Sequence, residues 1–502
     1  MIMETKSKNL LSLQNGSDIR GIASEGVDGE HVTLTAQLCA QIAVAFSVWL
    51  SKKTGKLCAE LKIGIGRDSR ISGESLASSV MVALHSRSVS VFDCRLATTP
   101  AMFMSIVFAE TKFDGAVMVT ASHLPFNRNG LKFFTADGCL ESADITEILK
   151  NAQKIQCDAS MVRGKVRECE LISLYASYLC GKIKAGVKKG DAPLSGLSIV
   201  VDAGNGAGGF FATNVLAALG ADITGSQFLN PDGMFPNHIP NPENAEAMAS
   251  LKSAVLKNDA DLGLIFDTDV DRMAVVLSDG TEVNRDAIIA LVSAILAPEY
   301  PNSTIITDSV TSDRLTKFLE TELGLKHHRF KRGYKNVINE CKRLNEAGTL
   351  SPLAMETSGH GALKENFYLD DGAYLAVKII IALAQAKAGG KSLSSLIENL
   401  EPLCEAMEVR YKITCEDFSS YGDMVLAEFK KTALEQGLAV QKSYEGVRIS
   451  FDDSEKKGWL LLRKSLHERV MPLNIEGSRS GDCKKIFDKA NELLSAFPHI
   501  TL

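Results

Sequence analysis

A chain of 502 residues is too long for one hydrophobic core, and at roughly 100–200 residues per domain it predicts three or four. Its 45% hydrophobic and 23% charged content is that of a globular protein, and no apolar run approaches the ~20 residues needed to span a bilayer. Lys and Arg number 55 against 61 Asp and Glu, a net charge of −6, which argues against a nucleic-acid partner and leaves room for a small anion in a local basic pocket.

Taken along the chain, the opening "MIMETKSKNLLSLQNG" has no apolar signal core and does not read as a secretory leader. From Leu61, "LKIGIGRDSRISGESLASSVMVALH" passes from an apolar strand through a turn into a helical pattern. The same grammar returns from Leu197 in "LSIVVDAGNGAGGFFATNVLAALGA" and from Ser303 in "STIITDSVTSDRLTKFLETEL". Strand then helix, repeated, predicts α/β layers with partly parallel sheets. "AYLAVKIIIALAQA" is short and carries Lys378, which predicts a buried helix rather than a membrane span. Roughly the last hundred residues alternate "VRYKITCEDF" and "GVRISFDD" with helical stretches and predict an α+β unit. Joints are expected from Ile183 to Ser195, from Ala297 to Ser303 and near Asn399. The 11 cysteines are scattered, without a CxxC pair, and this odd set fits neither a disulfide framework nor a zinc site, so a reducing compartment is expected.

Four stretches carry candidate chemistry. In "VTASHLPFNRNGLKFF", Val119 to Phe134, a serine ending an apolar run is by itself an ordinary loop residue or helix cap. Lys132, ten residues after Ser122, changes that: a hairpin turning at Asn129-Gly130 brings a proton-carrying amine back beside the serine, and His123 is a second proton carrier. In "GLIFDTDVDRMAVV", Asp267, Asp269 and Asp271 alternate after an apolar strand; in extended chain their carboxylates point one way, a crowding that a divalent cation relieves. Mg²⁺ suits carboxylate oxygens and keeps positions for phosphate or water, so the cluster predicts phosphoryl chemistry. The aspartyl nucleophile of haloacid-dehalogenase-type phosphatases is a rival reading, but Asp271 stands where that pattern has Thr or Val, and Ser122 is left unexplained. In "METSGHGALKENFYLDDGAY", Glu356 and Ser358, with His360 beside them, offer hydrogen bonds suited to vicinal sugar hydroxyls. In "GWLLLRKSLHER", Arg463, Ser465 and His467 form a candidate phosphate clamp, with Arg463 as the fork.

In this order the four stretches resemble the α-D-phosphohexomutase family of phosphoglucomutases, phosphomannomutases and phosphoglucosamine mutases. The family's Thr-Ala-Ser-His-Asn-Pro with a later Asn-Gly-x-Lys is matched by Thr120 to Pro125 and Asn129 to Lys132, its Asp-x-Asp-x-Asp-Arg loop by Asp267 to Arg272, and its sugar loop by Glu356 to His360. "SDIRG" at Ser17, "GRDSRISG" at Gly66, "TTPAM" at Thr98 and "NPDGMFPNHIPNPE" at Asn230 are also similar to that family. The resemblance covers nearly the whole chain. It implies three α/β domains with mixed sheets plus a C-terminal α+β domain around a central cleft. The expected bounds are 1–190 with the phosphoserine loop, 191–300 with the metal loop, 301–402 with the sugar loop and 403–502 with the phosphate loop.

The resemblance further implies that Ser122 carries a phosphoryl group, that Mg²⁺ bridges it to Asp267, Asp269 and Asp271, and that a hexose 1,6-bisphosphate is both intermediate and activator. Lys132 is the implied acid or base, its pKa expected to be lowered by burial near Arg20 and Arg272. Glu356, Ser358 and His360 would hold the sugar, with Arg332 and Lys335 of "KRGYKNV" on its phosphate, and Arg463, Ser465 and His467 would grip the phosphate that is not reacting. The chain departs from the family at Leu124, in place of asparagine, at Met355, in place of glycine, and at Leu466 and His467, in place of a small residue and threonine. A mutase of glucose or mannose phosphates is the leading reading. Phosphoglucosamine mutase, a hexose 1,6-bisphosphate synthase and a catalytically silent sugar-phosphate-binding regulator are the alternatives. Small sugar phosphates are the expected partners, with no nucleic acid and no membrane. A cytoplasmic monomer or weak homodimer is expected, or an organellar one, as in a plastid, if a transit peptide has been removed.

Overall fold

Alternating strand and helix patterns demand layers, because each sheet must cover its apolar faces with helices. A computed structural model of the protein describes residues 10–156, 166–465 and 468–502. The chain divides into two units, Met1–Ile295 with Ser358–Leu396, and Leu296–Thr357 with Ile397–Leu502. The predicted third domain, 301–402, is thus shared between them.

In the first unit, a mixed sheet runs in the order Gln14–Asn15, Asp18–Ile22, Arg128–Thr135, Gly115–Val119, Lys62–Arg67, Ser90–Leu96, Arg167–Glu168. Lys62–Arg67 pairs in parallel with Ser90–Leu96 and Gly115–Val119, whereas Arg128–Thr135 runs antiparallel to Gly115–Val119. Helix Ala36–Thr54 starts where the Thr35 side chain accepts the Leu38 N–H and stops at Gly55 in the left-handed region. It lays Ile42, Phe46 and Leu50 on Ile63, Val117 and Phe133, and the Phe46 and Phe133 rings meet at 4.7 Å. A second sheet pairs Leu262–Phe266 in parallel with Ile199–Asp202 and antiparallel with Met273–Leu277. Helix Ala245–Lys257 covers it through Leu251 and Val255. The helix predicted around Lys378 spans Gly372–Ala388, is buried along most of its length, and sends Lys378 to Glu365 at 2.8 Å.

In the second unit, Thr304–Thr307 lies parallel to both Lys326–Arg329 and Leu353–Met355. The C-terminal part is a six-stranded antiparallel sheet, with Val447–Asp452, Lys457–Leu462 and Val470–Gly477 at its middle. Helices Phe418–Glu435 and Asp482–Leu494 pack Val425, Phe429, Ile486 and Leu493 on it. The α+β expectation for this region holds. Among the described residues no helix is long and apolar enough to cross a membrane.

Candidate active site

Ser122 lies in the loop between strands Gly115–Val119 and Arg128–Thr135, almost fully buried and with a φ of +51°. A non-glycine residue in the left-handed region costs about 1–2 kcal/mol, so surrounding bonds must hold it there. They are on hand. The Ser122 N–H donates to Thr120 Oγ1 at 2.9 Å, and Thr120 Oγ1 donates to Asp68 Oδ2 at 2.6 Å. Arg70, 1% exposed and ion-paired with Asp68 at 3.3 Å, turns its guanidinium into the loop. Its Nη2 donates to the carbonyls of Ser122 and of Leu124, the latter at 2.6 Å. Its Nη1 donates to those of Pro125 at 2.7 Å and Arg128 at 3.0 Å. The expected turn at Asn129-Gly130 is not there: both residues lie inside the strand Arg128–Thr135. Glycine is needed for closeness instead, since a Cβ at 130 would come within 2.2 Å of the Ile19 carbonyl oxygen.

The three aspartates sit on a turn between Leu262–Phe266 and Met273–Leu277, not on extended chain. Val270 takes a φ of +66° and its N–H returns to the Asp267 carbonyl at 3.3 Å, which curls the carboxylates inward. All three are buried, with one oxygen from each inside 4.8 Å of the others. Ser122 Oγ donates to Asp267 Oδ2 at 2.7 Å, joining the two predicted constellations. Thr99 Oγ1 donates to Asp269 Oδ2 at 2.5 Å, and Lys132 Nζ donates to that oxygen at 3.2 Å and to Asp271 Oδ2. Asp269 Oδ1 is buried without a hydrogen-bond partner among the described residues. Burial, then Asp271 and Asp269, push the Asp267 carboxyl well above its ordinary range. Hard, crowded oxygens with one left orphaned fit a divalent cation, Asp267, Asp269 and Asp271 being the ligands.

Burial pulls Lys132 down, but Asp269, Asp271 and Asp18 outweigh it and hold the ammonium above its usual pKa, the reverse of the sequence expectation. Two facing carboxylates exceed the cost of desolvating one amine. Burial also works against the charge on Asp271, and there Lys132, His360 and Arg272 prevail and hold it well below the usual range. His123 departs from its predicted role as well. Arg272 first, then burial and Arg20, drive its pKa down to about 2, so the ring is neutral, with Nδ1 at 3.4 Å from Ser122 Oγ. Arg20 pairs with Asp18 at 2.8 Å, on a strand beside Gly130. His360 meets the metal loop: Arg272 Nε donates to its Nε2 at 3.1 Å, Asp271 lies at 3.3 Å, and Ser358 Oγ lies 3.0 Å from its Nδ1.

In the second unit, Glu356 Oε1 accepts the Gly333 N–H at 2.6 Å at the start of helix Tyr334–Glu346, which carries a half-buried Lys335 in its first turn. The Arg332 N–H donates to Glu445 Oε2 at 2.8 Å, and Arg463 Nη1 lies 3.7 Å from Glu445 Oε1. Burial, with Arg332 next, lowers the Arg463 pKa. Ser465 Oγ accepts the Glu468 N–H at 3.2 Å; His467 lies outside the described residues.

Comparison with known proteins settles the family. Models described as "Phosphoglucomutase/phosphomannomutase, alpha/beta/alpha" domains I, II and III match residues 12–158, 175–280 and 284–403 in that order. The chain belongs to this family. It is 28% identical over 496 residues to a phosphomannomutase/phosphoglucomutase of Pseudomonas putida, covering 98% of this chain and 97% of that protein. It is 29% identical over 484 residues to a phosphoglucomutase of Neisseria gonorrhoeae, covering 96% of each. A crystal structure of a phosphoglucomutase/phosphomannomutase family protein from Burkholderia thailandensis matches with a TM-score of 0.77 at 26% identity, covering 97% of both chains. Membership agrees with three α/β domains with mixed sheets and with a fourth part built on an antiparallel sheet.

Arg70, Asp68 and Thr99 stand within stretches similar to the family's motifs, yet nothing in the sequence gives them a role. Their work is to shape the serine loop and to occupy an aspartate oxygen, and only the return of distant strands shows it. Tyr175 and Asp371 were also missed. The tyrosine hydroxyl donates to Asp371 at 2.5 Å, Asp371 caps helix Gly372–Ala388, and the Gly372 N–H reaches the Val270 carbonyl in the acidic loop at 3.0 Å.

Proposed function

We propose that this isomerase interconverts hexose 1-phosphate and hexose 6-phosphate, glucose and mannose phosphates being its substrates, through a phosphoryl group carried on Ser122. The observation that carries the reading is Ser122 Oγ at 2.7 Å from Asp267 within a buried triad of carboxylates. A buried hydroxyl needs no such cluster to be satisfied, whereas a phosphorylated one needs the cation the cluster would hold. Mg²⁺ bound by Asp267, Asp269 and Asp271 would neutralise charge on the transferred group. Lys132, kept protonated by its carboxylates, acts as the acid and as a positive partner of that group, together with Arg20 and Arg272. Neutral His123 serves as a hydrogen-bonding group at Ser122.

The phosphoryl group passes from Ser122 to the free hydroxyl of the sugar phosphate: the bond from phosphorus to the sugar oxygen forms as the bond to Ser122 Oγ breaks, Lys132 gives a proton to Ser122 Oγ, and the amine so formed takes up the proton that the sugar hydroxyl loses. The resulting hexose 1,6-bisphosphate reorients, and its other phosphoryl group returns to the serine. Glu356 and Ser358 take sugar hydroxyls, while His360 braces Asp271 and Arg272. Arg332, Lys335, Arg463, Ser465 and His467 receive the idle phosphate, with Arg463 as a fork suited to a phosphate's paired oxygens. Hexose 1,6-bisphosphate is the activator, and the protein acts as a monomer or weak homodimer in the cytoplasm or an organelle. The relatives carry mutase names, and neither a bisphosphate synthase nor a silent binding protein is favoured over a mutase.

Intact mass after incubation with glucose 1,6-bisphosphate should rise by one phosphoryl group in the wild type and not in Ser122→Ala. A coupled assay with glucose, mannose and glucosamine 1-phosphates, each with its bisphosphate and Mg²⁺, ranks the substrates. Full mutase activity in Ser122→Ala would sink the phosphoserine reading.

A further inference from the structure

Two cysteines far apart in sequence meet at the edge of the first sheet. Strand Ser90–Leu96 pairs in parallel with Arg167–Glu168, Phe92 opposite Arg167 and Asp93 opposite Glu168. The ladder continues one rung further, because the Cys169 N–H donates to the Asp93 carbonyl at 2.9 Å. That register sets Cys169 beside Cys94, on strands whose spacing of ~4.8 Å lies within the Cα separation a disulfide spans.

Cys94 is also the extra residue of a β-bulge. On its other side Ile65 pairs with Asp93 and Gly66 with Arg95, so Cys94 has no opposite number there, and Arg95 takes a φ of +56°. A bulge re-aims the side chain it carries. Both residues are free thiols, Cys94 buried and Cys169 half-exposed, and the register of the two strands sets them side by side. Their nearness polarises the pair: Cys169, then burial, raises the Cys94 pKa, and the neighbouring Cys94 lowers that of Cys169. The accessible sulfur is thus the better nucleophile, with a resolving thiol beside it.

We propose that Cys94 and Cys169 form a reversible disulfide when the enzyme meets a peroxide. The Cys169 thiolate attacks one oxygen of hydrogen peroxide, the O–O bond breaks, and hydroxide leaves to take up a proton as water. The Cys94 thiol then attacks the resulting sulfenic sulfur; the S–S bond forms, the S–O bond breaks, and a second water carries off the hydroxyl and the Cys94 proton. Two electrons pass to the peroxide, and a small dithiol reductant returns them by exchange. The bridge would tie the strand Ser90–Leu96 to the approach of helix Leu171–Val187, whose Leu171 N–H already donates to the Cys169 carbonyl at 2.8 Å. That helix carries Tyr175, the hydroxyl that holds Asp371.

The test treats the full-length reduced protein with limiting hydrogen peroxide in native buffer, alkylates remaining thiols and maps peptides without reduction. Fragmentation locates the bond, because Cys180 shares the tryptic peptide of Cys169. The expected result is a dominant Cys94–Cys169 link with loss of alkylation at both, reversed by dithiothreitol. Cys94→Ala should instead leave Cys169 as a sulfenic acid trapped by dimedone, and Cys169→Ser should leave Cys94 alkylatable only after unfolding. The proposal fails if the native protein links Cys169 to another cysteine, or if peroxide leaves both thiols as alkylatable as before treatment.

Discussion

Arg70→Lys isolates what the guanidinium does for the serine loop. The wild-type side chain, itself buried, donates to four carbonyls, of Ser122, Leu124, Pro125 and Arg128, and pairs with Asp68. Lysine keeps the charge but has one nitrogen with three donors and no planar fork, so at least two carbonyls lose their partner. At about 1–3 kcal/mol for each buried acceptor left unsatisfied, the loop loses on the order of 2–6 kcal/mol of support. The left-handed turn at Ser122 stores about 1–2 kcal/mol that this support offsets, so the serine should leave its native conformation in a large share of molecules. Each 1.4 kcal/mol of bias removes about tenfold from the competent fraction, which predicts a fall in kcat of at least about tenfold with a smaller change in KM. The measurements are a coupled mutase assay and a thermal melt. Phosphorylation by glucose 1,6-bisphosphate, followed by intact mass, separates a misplaced serine from a misfolded protein. An Arg70→Lys enzyme that melts below the wild type yet keeps wild-type kcat would refute the positioning argument and leave Arg70 a purely structural residue.

Other consequences follow from the same contacts. Burial pushes the Asp371 carboxyl up to about 6, so the folded state binds a proton that the unfolded chain has lost. Stability from this group is full below its ordinary pKa and falls as pH rises to about 6, by on the order of 3 kcal/mol, and Asp371→Asn should flatten that fall in denaturant midpoints measured across the range. A chelator should abolish phosphoryl transfer and Mg²⁺ should restore it, while the Mg²⁺-dependent rise in melting temperature should vanish in Asp269→Asn; activity in excess chelator would remove the cation from the scheme. Leu124→Asn should leave turnover within about twofold, since the loop uses the Leu124 N–H and carbonyl rather than its side chain; a larger change would give that side chain a role.

Much of this protein is legible in its residues. Strand-turn-helix units from Leu61, Leu197 and Ser303, the buried helix around Lys378 and the α+β end all follow from hydrophobic period, which depends only on neighbours in the chain. The spacing of Asp267, Asp269 and Asp271 marks a carboxylate cluster suited to a cation, although the extended chain it predicts gives way to a turn. Their curl around Val270 is another matter, since φ at that residue is set by contacts with Gly372 and the neighbouring strands. The protonation of Lys132 and the neutrality of His123 also belong to the tertiary structure, for both depend on which charges the fold brings near. So does the meeting of Ser122 with Asp267, and so do the Arg70 cradle and the Cys94–Cys169 juxtaposition, which join residues dozens of positions apart or more. Local sequence specifies which groups are present and how each segment runs. Their distances, and with them the electrostatics around Ser122, exist only once non-local strands have paired and water has been excluded.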